Sequence, residues 1–177
     1  MPTDLIREAT SADVGAMAEI YNHYVRGSIF TFEEQELSAE QMTARWTAVI
    51  GEDTACPSSD LSLPWLVAEL DSEVLGYAYA DLWKPRTAYR KSVEVTIYLH
   101  PEATGRGIGR PLYQALIDEL RVRKLHCAMA SIALPNPASI KLHESLGFEK
   151  VGQAKEIGRK FKRWVDVGYW QLMLAES

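Results

Sequence analysis

Residues 93–110, Val-Glu-Val-Thr-Ile-Tyr-Leu-His-Pro-Glu-Ala-Thr-Gly-Arg-Gly-Ile-Gly-Arg, constrain the fold more than any other stretch. Val93, Val95, Ile97 and Leu99 are apolar and alternate with Glu94, Thr96 and Tyr98. A period of two rich in β-branched residues predicts a strand. Pro101 ends it, because proline cannot donate to a ladder. Gly105, Gly107 and Gly109 allow a sharp turn and let a ligand approach the backbone with no Cβ in the way. Ile108, Leu112, Leu116 and Leu120, with Ala115, then form one apolar face of a helix. A helix N-terminus behind glycines offers free N–H groups and the positive end of the helix dipole, a setting for phosphate oxygens. Two familiar phosphate patterns do not fit. A dinucleotide fold places G-x-G-x-x-G after the first strand, and a P-loop places Lys-Ser or Lys-Thr after its last glycine. Here the turn lies far into the chain and Arg110-Pro111 follows it.

The rest of the chain reads as a mixed α/β domain. Leu5-Ile6-Arg7 is a short strand, and Thr10 or Ser11 caps a helix carrying Val14, Met17, Ile20, Tyr21, Tyr24 and Val25. Ser38-Ala39-Glu40-Gln41 is a capping box for a second helix, closed by Gly51. Between them, Phe30 and Phe32 are either core or part of a substrate lid. Residues 51–63 read as loop. Trp65–Leu70 and Val74–Asp81, joined by Asp71-Ser72, form a hairpin, so three antiparallel strands follow in sequence. Cys127–Ala133 is a buried strand of small residues; behind a strand and a helix it completes a βαβ crossover. Asn136–Leu146 is a short helix ended by Gly147. Phe148–Ala154 and Trp164–Leu174 are late strands joined by a basic segment. The expected fold class is α/β (α+β): a mixed sheet of about seven strands, antiparallel in its front half, with about four helices.

With 177 residues, the length suits one domain over 1–177 with a real core. The net charge of −5, from 24 acids and 19 bases, argues against a nucleic-acid partner bound through its phosphates. No apolar run reaches the length of a membrane span, so no membrane is expected. Met1-Pro2-Thr3-Asp4-Leu5-Ile6-Arg7 shows no leader pattern. Cys56 and Cys127 fit no metal or disulfide spacing and read as free thiols in a reducing cytoplasm.

A second set of signals lies in Asn136-Pro137-Ala138-Ser139-Ile140-Lys141-Leu142-His143-Glu144-Ser145-Leu146-Gly147-Phe148. With the frame Thr104-Gly105-Arg106-Gly107-Ile108-Gly109, it resembles the two acyl-CoA motifs of the GNAT superfamily of N-acetyltransferases: Gln/Arg-x-x-Gly-x-Gly/Ala and Asn-x-x-Ser/Ala…Gly-Phe. Thr104 stands where that family carries Gln or Arg, and His143 where many members carry Tyr. Features spread over nearly the whole chain narrow the resemblance to phosphinothricin acetyltransferases and their relatives. They are Asn22-His23-Tyr24, Pro64–Glu69, Trp83–Tyr89, Leu134-Pro135-Asn136, Leu142-His143-Glu144 and Asp166–Trp170. The resemblance implies acetyl-CoA as co-substrate, no metal, a homodimer, and a small amino-acid-like acceptor bearing an anion.

Amine acetylation requires the amine to lose a proton, and a carboxylate takes it directly or through water. Glu94, between Val93 and Val95 on the central strand, is the candidate base; the resemblance places a catalytic Glu at the same position. His143 reads as a capping or core histidine from its sequence alone, and as an acid to the departing thiolate or a substrate partner from its place in the motif. The backbone at Ile97, Tyr98 and Leu99 is expected to bond the pantetheine arm as an added strand would, with one amide polarising the thioester carbonyl. Gly105, Arg106, Gly107, Ile108, Gly109 and Arg110 would hold the pyrophosphate, and Asn136 and Ser139 the rest of the arm. The loop carrying Lys84, Arg86, Tyr89 and Arg90 reads either as solvated surface or as an acceptor contact, since guanidinium groups grip a carboxylate or phosphinate with paired hydrogen bonds; the resemblance favours the contact at Lys84, Arg86 and Tyr89, and less so at Arg90. Phe32, Thr96 and Val167 complete the implied acceptor site. The run Gly158-Arg159-Lys160-Phe161-Lys162-Arg163-Trp164 reads as a solvated hairpin, with a dimer or substrate contact as its alternative.

Overall fold

The computed structural model describes residues 6–51 and 62–174. Leu5, Cys56 and most of the expected 51–63 loop lie outside the described residues. Seven strands form one sheet in the order β1-β2-β3-β4-β5-β7-β6. They are β1 Ile6–Glu8, β2 Trp65–Leu70, β3 Glu73–Leu82, β4 Ser92–Leu99, β5 Cys127–Leu134, β6 Glu149–Lys160 and β7 Arg163–Met173. The helices are α1 Val14–Gly27, α2 Ala39–Ile50, α3 Gly109–Val122 and α4 Pro137–Ser145. β1 to β4 are successively antiparallel, β2 and β3 through the tight Asp71-Ser72 turn. β4 and β5 are parallel, with α3 as their crossover. No described helix is long and apolar enough to cross a membrane.

Local chemistry sets the element ends. Ser38 caps α2 through the Gln41 N–H, and Gly51 ends it in the left-handed region at φ 81°. Asn136 caps α4 by accepting from the Ser139 N–H at 3.1 Å. The apolar stripe expected on α3 is buried: Leu112, Leu116 and Leu120 are fully enclosed beneath the sheet. Strand alternation then sorts β4. Val93 and Val95 point into the core, while Ile97 and Leu99, on the same face, meet the start of α3 at Gly109. Glu94, Thr96 and Tyr98 share the opposite face, where Tyr98 packs edge-on against Tyr21 of α1 at 5.1 Å.

The late basic segment differs from expectation. β6 runs on to Lys160 and β7 begins at Arg163, so only Phe161 and Lys162 form the turn. Both hold positive φ, 49° and 60°, the geometry that closes a two-residue hairpin. The run is therefore strand rather than linker, because two residues suffice to reverse the chain. Its members are not all solvated either. Lys160 is only 2% exposed, and its ammonium donates to the Thr31 carbonyl at 2.8 Å. Cys127 is a buried free thiol.

Candidate active site

The site begins where a sheet ladder stops. β4 and β5 pair only over Ser92–Glu94 and Cys127–Met129, yet both strands continue to Leu99 and Leu134. β4 stays bonded to β3 and β5 to β7 along their other edges. The divergence therefore opens a gap inside the sheet without loosening either strand. Backbone groups of residues 95–99 on that side have no strand partner, an edge onto which an extended ligand can add. A cleft of about 1020 Å³ follows the gap and passes from one face of the sheet to the other.

On the α3 face the cleft is lined by Gly105, Gly107, Gly109 and Arg110, and by Asn136, Ser139, Lys141 and Leu142 of α4. Gly105 and Gly107 hold φ of 75° and 80°, and a Cβ on either would meet no protein atom within 4 Å. Their left-handed backbone, not crowding, is what excludes a side chain. The N–H groups of Gly105, Gly107, Ile108, Gly109 and Arg110 find no backbone acceptor among the described residues. Five free donors at the positive end of α3, beside the Arg110 guanidinium, fit a pyrophosphate. Ile108 contributes only its backbone, since its side chain is buried, and Arg106 is exposed on the turn outside the cleft lining. Ile97, Tyr98 and Leu99 line the gap, but the Leu99 carbonyl already accepts from the Tyr24 hydroxyl at 2.6 Å. That leaves the Leu99 N–H and the backbone groups of Ile97 for a bound arm; the Tyr98 backbone, expected to join them, is taken by the β3 ladder through its pairing with Tyr77, as the bonds from the His100 N–H to Leu75 and the Trp83 N–H to Ser92 fix the alternation.

Glu94 sits at the point where the strands part and lines the cleft together with Thr96. The Ser131 hydroxyl of β5 donates to its Oε1, fixing the carboxylate across the gap. Ser131 was not legible as a site residue; its only signal is a hydroxyl in a strand otherwise built of small and apolar residues. His23, Tyr24 and Phe30 also line this end. Val167 lies on the same sheet face through its register with Ala133, but is buried outside the lining. Phe32 lies outside the lining as well, its ring against Gly158. The β3–β4 connection carrying Lys84, Arg86, Tyr89 and Arg90 is exposed at the Glu94 end of β4 and likewise stands outside the lining. Among the described residues, none of its cations pairs with a carboxylate. Lys84 lies over the Trp83 ring at 4.6 Å, and Trp83 meets Tyr169 of β7 edge-on.

His143 is 3% exposed at the wall of the cleft. Its Nδ1–H donates to the Ser139 carbonyl at 2.7 Å, and the Tyr113 hydroxyl lies 2.9 Å from Nε2. Burial lowers the imidazole's proton affinity, opposed by the bond to Ser139. The ring is therefore neutral with Nδ1 protonated, and Nε2 accepts from Tyr113. Burial likewise pushes the Tyr113 hydroxyl well above the usual phenol range. This is the capping and core environment that the sequence offers as one of two readings of His143. Among the described residues, no group of three His, Cys, Asp or Glu side chains is placed to hold a metal ion.

Comparison with known proteins agrees with this geometry. Residues 6–168 match an acetyltransferase (GNAT) domain. The chain is 38% identical to the phosphinothricin N-acetyltransferase of Streptomyces coelicolor over 94% of both chains. It is 37% identical to the L-methionine sulfoximine/L-methionine sulfone acetyltransferase of Salmonella typhimurium, over 97% of this chain and 94% of that one. A phosphinothricin acetyltransferase from Sinorhizobium meliloti, solved in complex with acetyl-CoA, superposes with a TM-score of 0.88 at 37% identity, covering 96% of this chain and 88% of that one. The chain therefore belongs to the GNAT acetyltransferases and is an acetyl-CoA-dependent N-acetyltransferase.

Proposed function

We propose that the acceptor is the α-amine of a small amino acid with an anionic or strongly polar side chain, phosphinothricin or methionine sulfoximine being the model compounds. The observation that carries this reading is the position of Glu94. Its carboxylate stands at the parting of β4 and β5, on the face opposite the glycine turn, anchored by Ser131. An amine entering from that face meets the base before it meets the thioester.

In this reading Glu94 takes the amine proton, directly or through one water, and the freed lone pair attacks the thioester carbonyl. The nitrogen–carbon bond forms as the carbon–sulfur bond breaks, and the sulfur leaves with the pantetheine arm. The Ile97 and Leu99 backbone holds that arm, and one of its N–H groups polarises the carbonyl. Gly105–Arg110 secures the phosphates, with Asn136 and Ser139 along the arm. His143 acts through placement: a neutral ring whose Nε2 is an acceptor has no proton to give, so the second proton, which the nitrogen loses after attack, passes through water to the departing sulfur. Lys84 and Arg86, exposed and without a carboxylate partner among the described residues, meet the acceptor's anion from the mouth, with Tyr89 and Arg90 beside them.

A second copy of the chain fits the β6–β7 hairpin, where Ile157, Phe161 and Trp164 are each more than half exposed. Apolar side chains gathered at a hairpin tip favour burial against a partner. The need for acetyl-CoA is consistent with a cytoplasmic enzyme. The deciding experiment is an acceptor screen that follows thiol release from acetyl-CoA. Phosphinothricin, methionine sulfoximine and methionine sulfone should be turned over, and a simple alkylamine should not. Equal turnover of the alkylamine would refute the substrate class, and equilibrium sedimentation would test the dimer.

A further inference from the structure

The basic run on β6 and β7 has one member that charge on a surface does not explain. Lys160 is the sole lysine among the described buried polar residues. Burying an ammonium is costly unless it is bonded, and its bond here is long-range. Nζ donates to the carbonyl of Thr31, in the connection between α1 and α2. Burial lowers its proton affinity, while Glu34 and Glu33 of that same connection oppose the shift.

Three other contacts hold the connection at the same point. The Thr31 hydroxyl is bonded to Tyr21 of α1 at 2.6 Å. The Tyr98 hydroxyl of β4 donates to the Phe30 carbonyl at 3.3 Å. The Phe32 ring lies on Gly158, where an added Cβ would come within 2.3 Å of its Cζ. Further along, Asn22 donates to the Leu37 carbonyl and accepts from the Leu37 N–H. The connection is thus strapped across the sheet face that carries Glu94, from α1 to the β6–β7 hairpin. What the strap presents to the cleft is Phe30, 41% exposed and close to Tyr24.

We propose that Lys160 is a positioning residue for the acceptor: it pins the α1–α2 connection so that Phe30 forms a wall of the cleft on the Glu94 side. This rests on the reading that the amine enters by that face. The ring covers the aliphatic part of a small amino acid, and its placement decides how that acceptor is aligned with the base.

Lys160→Met tests this, because methionine keeps the length and apolar stem while removing the donor. Amide hydrogen exchange over residues 28–37 should accelerate, with exchange over α4 unchanged. The acceptor KM should rise about tenfold, since misalignment at this scale is costly, and the KM for acetyl-CoA should stay within about twofold. Gly158→Ala is the second variant, displacing Phe32 while leaving Lys160 intact; it should give the same split if Lys160→Met fails to fold. Unchanged exchange over 28–37 overturns the strap. Faster exchange with an unchanged acceptor KM, or a fall in kcat with both KM values unmoved, overturns the positioning role. A wild-type protein inert towards every amino acid overturns the functional reading instead, whereas an active wild type with an unaltered variant overturns this inference alone.

Discussion

The α3 side of the cleft comes from segments that follow one another along the chain. The glycine turn succeeds β4 and opens α3, and α4 succeeds β5. Its chemistry is backbone chemistry: free N–H groups, two left-handed glycines and a helix dipole. The Glu94 side is drawn from distant parts of the chain. It takes Phe30 from between α1 and α2, Ser131 from β5 and Lys160 from β6, with Lys84 and Arg86, between β3 and β4, as the proposed contacts at its mouth. Its chemistry lies in side chains that only tertiary contacts bring together. The contrast suggests a division of labour, with a donor site specified locally and an acceptor site specified by how elements dock. Mutations on the two sides should therefore separate in their kinetics.

The largest separation is expected at Glu94, which belongs to the acceptor side alone. Glu94→Gln keeps the bond to Ser131, since an amide oxygen also accepts. Turnover should fall by ~10²–10⁴-fold, while acetyl-CoA affinity by calorimetry stays as in the wild type. Activity should recover at high pH, where free amine forms unaided. Near-normal turnover at neutral pH would remove the base from the site.

Arg86→Ala should act next most strongly and on the acceptor only. Losing a charged hydrogen bond lowers kcat/KM for an anionic acceptor by about 1.5–3 kcal/mol. A neutral amine should be indifferent to the change. Damage to acetyl-CoA binding with the acceptor untouched would move the loop to the donor side and break the comparison.

Gly107→Val probes the donor side. A left-handed conformation costs an L-residue roughly 1–2 kcal/mol, and a β-branched one resists it further. No protein atom lies within 4 Å of the new Cβ, so the added bulk meets only a ligand approaching the turn. Acetyl-CoA affinity should weaken by about tenfold or more, with a smaller fall in melting temperature and an unchanged acceptor KM. Unaltered affinity would reduce the turn to a helix cap.

The same division explains what was legible in the sequence. The period of two in β4, the α3 stripe and the Ser38 box are local patterns, and the structure has each of them. The expectation of a solvated basic hairpin met its limit at Lys160. Nothing within several residues of it signals that Thr31, 129 positions away, needs its donor. Ser131 has no local signal of its partner for the same reason, and the choice between core and lid at Phe30 stays open in the sequence, since strand register and loop docking give them their neighbours. The resemblance implies Phe32 as an acceptor contact, yet packing on Gly158 turns its ring onto β6 and leaves Phe30 facing the cleft.

The smallest effect concerns His143, on α4 beside Tyr113 of α3. As an acid it would have to be protonated in the working enzyme, and kcat would then fall as pH rises through its pKa. Burial holds that pKa below the ordinary imidazole value of 6.5, so such a fall would be complete by about pH 8. The hydrogen bonds give the opposite expectation: Nδ1–H faces the Ser139 carbonyl and Nε2 accepts from Tyr113, in the neutral form. Between about pH 6 and 9, kcat should therefore rise and level off as acceptor amine and base lose protons, with no descending limb. His143→Gln should leave that shape unchanged even where it lowers the height. Stability carries the complementary sign. Because the folded-state pKa is depressed, the unfolded chain binds a proton that the folded chain refuses. His143's contribution is then fully present above about pH 6.5 and is lost as pH falls towards the folded value. Melting curves from pH 7.5 down to 5 should show that loss in the wild type and less of it in His143→Gln. A descending limb in kcat that vanishes in the variant would instead make His143 the proton donor and join the two sides of the cleft in one proton path.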